Sequence, residues 1–204
     1  FSFLTAMNFL GIFLVSTHST LLPVFASDIL KGDASTLGTL HAAGGIGSLV
    51  GALVAANLGS FQGRGWLIVG GLATQSLFVM LFGFSRIFTL SLLFQLLAGF
   101  SHALFMVSAQ STVQSQVPDH LRGRMMAIWG MNYGVVFPLG QIQMGAMASF
   151  SRRYLSSSLG RFAGAPFTVI LGGMIMLVVS LLGIGRIREL APPGLGPSSE
   201  ADRR

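Results

Sequence analysis

The stretch QVPDHLRGRMMAIWG, residues 116–130, holds three charged residues and a histidine within six positions, from Asp119 to Arg124. Long apolar segments flank it on both sides. A chain that gathers its few charges in one short loop has little room for charge elsewhere, because an ion moved out of water is costly unless paired.

Working outward, the 204 residues are 52% hydrophobic and only 9% charged, against roughly 25% charged in soluble domains. Mean hydropathy is +0.74. Too little polar surface remains to cover a soluble core, so the chain reads as a membrane protein with the lipid bilayer as its first partner. The net charge of +6 does not mark a nucleic-acid partner. The basic residues are spread singly or in pairs, without a stripe or interleaved aromatics, as in loops beside membrane spans. With no cysteine there is no disulfide and no thiolate ligand. The chain opens FSFLTAMNFLG, with neither an initiator methionine nor a basic n-region and cleavage site. A signal peptide is not expected, and the first residues of a longer protein are expected to be missing.

A spanning helix needs about 20 mainly apolar residues. Six segments qualify: 1–25, 36–58, 66–84, 88–113, 124–150 and 162–184. The expectation is an all-α, polytopic six-helix bundle over 1–188, with Pro138 kinking the fifth span. The polar, Pro/Gly/Ser-rich tail, 189–204, reads as disordered. A β-barrel is disfavoured because the apolar runs are continuous rather than alternating. Six spans put both ends on one side. If that side is cytoplasmic, seven basic residues lie inside and five outside, a weak positive-inside bias. Gly47 and Gly51 in the second span, and Gly130 and Gly134 in the fifth, form small-xxx-small pairs that suit close helix packing.

Asp119 follows Pro118 and suits a helix N-cap. Arg122 and Arg124 then sit near the positive end of the helix dipole, which disfavours them. They need an anionic or carbonyl partner from another element, or lipid phosphate; a plain positive-inside anchor is the simpler reading.

The segment VPDHLRGRMM, 117–126, resembles the loop between helices ten and eleven of major facilitator superfamily transporters, which commonly reads Pro-x-x-x-Arg-Gly-Arg. LGSFQGRGW, 58–66, falls where that family repeats its other loop signature, but no acidic residue precedes Arg64. LLPVFASDIL, 21–30, resembles the end of helix seven. The order is most similar to the drug- and siderophore-exporter branch, which includes enterobactin-exporter-like proteins. The resemblance implies helices seven to twelve, the C-terminal half of a twelve-helix transporter in the cell (inner) membrane, whose partner is the missing N-terminal half. It also implies a cytoplasmic gate at Asp119, Arg122, Gly123, Arg124 and Arg64, and cytoplasmic ends for this segment.

No Asp, Glu, Lys or Arg falls near the middle of any span, which argues against a charged substrate neutralised here. Proton coupling would then use a carboxylate elsewhere or a histidine. At about 100° per residue, Thr5, Asn8, Ser16 and Ser19 share one face of the first span, and Ser91, Gln95 and His102 one face of the fourth. The fifth adds Asn132, Tyr133 and Gln141. Asn8, Ser16, Gln95, His102, Asn132 and Gln141 are the candidates for a small-molecule pathway; the competing reading of each is an interhelical hydrogen bond. His102 at mid-depth is a candidate proton carrier. Ser101 and His102 are sequence neighbours and point apart, so they make no nucleophile–base pair. His18, His41 and His120 are scattered, and neither a metal nor a cofactor is expected. The rival classes are a non-transporting membrane scaffold or receptor-like module and, with no nucleophile pair, an intramembrane enzyme.

Overall fold

In lipid every backbone N–H and C=O must find its partner within the protein, and a helix does this segment by segment. The computed structural model describes residues 2–58, 64–155 and 160–184, and these form helices and no strand. The first helical run passes through α1 (Ser2–Leu14), a 3-10 turn (Ser16–Leu21), α2 (Leu22–Val24) and a π-helical turn (Phe25–Ile29). Then come α3 (Ala34–Asn57), α4 (Arg64–Phe84), α5 (Phe88–Gln116) and α6 (Asp119–Met131). A second π-helical turn (Asn132–Val136) leads into α7 (Phe137–Tyr154), and a 3-10 turn (Gly160–Phe162) precedes α8 (Ala165–Ile184). The tail 189–204 and the centre of the 58–66 loop lie outside the described residues.

Five stretches are long and apolar enough to cross a membrane: Ala6–Ile29, Ala34–Asn57, Gly65–Phe84, Phe88–Ser115 and Ala165–Gly183. The expected fifth span, 124–150, is helical throughout but does not join them. Arg124, Asn132, Gln141 and Gln143 dilute it, and its pitch changes midway. The π turn ends just before Pro138. Proline lacks an N–H and its ring crowds the carbonyl four residues earlier, here that of Gly134. A locally widened turn accommodates both defects. Asp119 is the first residue of α6 rather than its cap, so Arg122 closes the first turn and Arg124 enters the second.

Helix ends are tied locally. Asp33 caps α3: its carboxylate accepts from the Thr36 N–H at 3.0 Å, while Thr36 Oγ1 accepts from the Asp33 N–H at 3.3 Å. The Thr36 backbone bond holds the Asp33 carboxyl below its ordinary value. The cap is therefore intact above the carboxylate range and is lost as pH falls through the depressed pKa. At the entry to α8, Gly164 takes a φ of 90°, and its N–H donates to Ser151 Oγ on α7 at 2.7 Å.

The helix α5 is wedged between α3 and α4, α4 packs in turn on α8, and α1 and α7 close against α8 and each other. Phe25 and Phe82 meet at 4.6 Å between ring centres, and Leu72, Phe105 and Met176 are fully buried in the same core. Lipid tails are as apolar as leucine, so association here depends on close packing rather than on escape from water. Glycine supplies that packing. A Cβ on Gly47 would collide with the Leu96 carbonyl, one on Gly51 with the Phe100 carbonyl, and one on Gly99 with the Gly44 carbonyl. Gly130 and Gly134 differ from the expectation: nothing among the described residues lies within 4 Å of a Cβ at either position. Ile46, Leu49 and Leu53 on α3, Ile142 on α7 and Leu182 on α8 stay exposed.

Gly47→Val should break the α3–α5 contact at an overpacking cost of about 1–3 kcal/mol or more, seen as a lower melting temperature in detergent. Gly130→Ala should leave that temperature unchanged; an equal loss in both would show that the glycines act through something other than close approach.

Candidate functional site: a polar cavity at the break in the first helix

The site begins with the change of pitch after Val15. The Val15 carbonyl accepts from the His18 N–H at 3.1 Å, a bond of 3-10 spacing. The same carbonyl accepts from His18 Nδ1 at 2.7 Å. Thr17 Oγ1 donates back to the Phe13 carbonyl at 2.9 Å. Gly140 on α7 lets that helix close over the break, since a Cβ there would lie 2.6 Å from Thr17 Cγ2. The tightened turn aims the imidazole of His18 inward, edge-on to Phe82 at 6.3 Å. Its Nε2 lies 3.3 Å from Gln95 Oε1 on α5.

Around this bond lies a cavity of about 190 Å³, lined by His18, His41, Gly44, Gly45, Ser48, Gln75, Gln95, Ala98, Gly99 and His102. The glycines build its wall. A Cβ on Gly44 would come 3.1 Å from Gln95 Nε2, so Gln95 lies across bare α3 backbone. Ser48 Oγ donates to the Gly99 carbonyl at 3.2 Å. Pockets for drug-sized ligands run from about 300 Å³. This cavity is smaller than that.

A larger cavity, about 560 Å³, opens at the end of the bundle carrying Asp28, Arg86 and Arg152. There Arg152 meets Asp28 at 3.3 Å, both well exposed, a pair worth about 0–1 kcal/mol. The guanidinium of Arg86 lies over the Phe162 ring at 5.1 Å. It is a vestibule between helix ends rather than a site inside the bundle.

The structure brings Gln95 and His102 to the inner cavity but not the other candidates. Asn8 is fully buried on α1, with neither amide atom hydrogen-bonded among the described residues. Ser91 is buried and donates to Ser85 Oγ at 2.8 Å, tying the start of α5. Gln141 is half-buried on α7 away from the cavity. The side chains of Ser16, Asn132, Tyr133, Asp119, Arg122 and Arg64 lie outside the described residues. Arg124 and Gly123 are exposed.

Sequence reasoning missed His18, His41 and Gln75. The three cavity histidines come from three helices, so no sequence spacing relates them. Among the described residues no group of three or more potential ligands is placed to hold a metal ion.

The family described as "Major Facilitator Superfamily" matches residues 1–203. The chain belongs to that superfamily. It is similar to the enterobactin exporter EntS of Shigella flexneri, 26% identical over 194 residues, covering 94% of this chain and 46% of that protein. The enterobactin exporter EntS of Salmonella choleraesuis (strain SC-B67) is 25% identical over 159 residues, covering 78% and 37%. That of Escherichia coli O81 (strain ED1a) is 25% identical over 179 residues, covering 88% and 41%. The chain thus spans less than half the length of these relatives. No solved structure matches it. Family and apolar helices together make it a multi-pass membrane protein of the superfamily that the Pro-to-Arg loop resembles.

A buried amide without partners costs about 1–3 kcal/mol. Asn8→Leu should therefore hold or raise the melting temperature in detergent; a fall would show that the amide has a partner that stabilises the fold.

Proposed function

We propose that this chain is the C-terminal six-helix half of a secondary active transporter that exports a hydrophobic or amphiphilic small molecule by alternating access. The observation that carries the reading is the polar cavity at the break in the first helix, which opens on the exposed His41 and Gly45 of α3 in an otherwise apolar bundle. Polar groups at membrane depth are costly and mark transport pathways. Transporters place sites beside interrupted helices at the interface between halves, and rock one half against the other. The exposed faces of α3 and α7, with Gly130 of α6 and Gly134 of the π turn bare, offer that other half a surface. The names of the relatives support export, and enterobactin is the first probe to try. Abundant phenylalanine suits a lipophilic substrate. Protons are the proposed coupling partner, and the cell (inner) membrane, with both ends of this segment cytoplasmic, is the proposed location.

In this reading Gln95 and His102 touch the substrate and Asn8 lies on the pathway side of α1. In proteoliposomes of the full-length protein, Gln95→Leu and His102→Phe should each lower enterobactin or ethidium efflux severalfold at unchanged protein level. Unchanged flux in both would remove the cavity from the pathway, and no flux of any probe by the parent would favour a scaffold or receptor.

The loop 117–126 is the proposed cytoplasmic gate. Among the described residues no hydrogen bond or ion pair reaches the Arg124 side chain, which leaves it available to a partner across the cytoplasmic opening. A partly desolvated, charged hydrogen bond contributes about 1.5–3 kcal/mol, enough to shift a two-state equilibrium by roughly 10–150-fold. Arg122→Ala and Asp119→Ala should open the cytoplasmic side, raising thiol labelling of a Ser115→Cys reporter and lowering flux. Labelling and flux at the parent level would reduce the loop to a charge anchor.

A further inference from the structure

The contact between His18 and Gln95 allows two hydrogen-bond arrangements, and the protonation state of His18 selects between them. The Val15 carbonyl is purely an acceptor, so the 2.7 Å contact places a proton on His18 Nδ1. In neutral imidazole the other nitrogen, Nε2, is then an acceptor. It faces the Gln95 side chain at 3.3 Å, and the atom towards it is Oε1, also an acceptor. Two acceptors do not bond. Either His18 carries a second proton and donates to Oε1, or the Gln95 amide turns over and its NH₂ donates to Nε2. The heavy-atom positions serve both arrangements, since amide oxygen and nitrogen have nearly the same shape. The proton decides between them.

We propose that His18 and Gln95 form a proton-reading pair, in which proton uptake by His18 Nε2 turns the Gln95 amide over and changes what the cavity offers a substrate. This rests on the transport reading above. When His18 is neutral, Gln95 donates to it and presents Oε1 to the cavity. When His18 is charged, Oε1 is taken and the NH₂ faces the cavity beside Gly44, where a Cβ would come 3.1 Å from that nitrogen. A substrate that meets the cavity with groups that only donate, such as an amide N–H, binds the deprotonated pair and is displaced by a proton. That is the logic of exchange: one proton in, one substrate out. The substrate class this assigns is an amphiphile with hydrogen-bond donors at its polar end.

The surroundings keep the pair a one-proton device. From α3 the cavity receives His41, from α5 His102 and from α4 the uncharged Gln75. The helix α4 also presents the Phe82 ring to His18, and α7 presents Gly140 to the neighbouring Thr17. Among the described residues no Asp, Glu, Lys or Arg lines the cavity.

Two measurements on the full-length protein in lipid nanodiscs and proteoliposomes test the pair. In ¹⁵N spectra, the neutral His18 should carry its proton on Nδ1, and the Gln95 side-chain amide should shift with the same midpoint as His18 titrates. A proton on Nε2 in the neutral form, or a Gln95 amide that ignores the titration, overturns the proposal whether or not the protein transports. In flux assays with enterobactin as probe, the half-saturation concentration should rise about tenfold per pH unit on the acid side of that midpoint, as competition with one proton requires. His18→Asn and Gln95→Leu should each reduce that dependence to less than twofold, and His102→Asn should keep it. Full pH dependence in both His18→Asn and Gln95→Leu sinks the pair. Coupled titration without flux of any probe leaves the pair standing and sinks the transport reading instead.

Discussion

The close approach of α3 and α5 is the contact on which the rest of the bundle depends. Gly47, Gly51 and Gly99 bring backbone against backbone, and no side chain other than hydrogen fits between them. In lipid this van der Waals contact does what burial from water does in a soluble core. It also fixes where α5 can sit between α3 and α4. The polar cavity follows from it, because Gln95 reaches bare backbone on α3 where a side chain would otherwise fill the space.

The second constraint is backbone hydrogen bonding where helices lose their regular pitch. Both interruptions are local changes of winding rather than open loops, so few carbonyls are orphaned. At the first, the Val15 carbonyl serves the His18 backbone and side chain together. At the second, a π turn absorbs the defect that Pro138 creates. Membrane helices tolerate such breaks where protein or water satisfies the freed groups. The break in the first helix is therefore also the place where a polar side chain can be turned inward at little cost.

Charge is confined to the ends. Asp28 and Arg152 pair at one end while Arg64 and Arg124 lie at the other. The interior carries only groups that can be neutral, such as imidazole, amide and hydroxyl.

The sequence by itself determined the class. Low charge and long apolar runs dictate membrane helices, because lipid hydrates neither charge nor free backbone. The Pro-to-Arg loop pointed to the superfamily, and the Gly47/Gly51 spacing pointed to a face where helices touch. The i, i+7 relation of Gln95 and His102 was legible for the same reason, since α5 is regular along its length. Only the tertiary structure decided the rest. The pitch change at Ser16–Leu21 rotates everything after it, so a face projected from Asn8 at constant pitch does not carry through to His18. His18, His41 and His102 are brought together by packing across three helices, and no local pattern encodes a contact between residues 77 positions apart. Gly130 and Gly134 show the converse, because spacing marks a face able to pack and the neighbouring helices decide whether anything packs there.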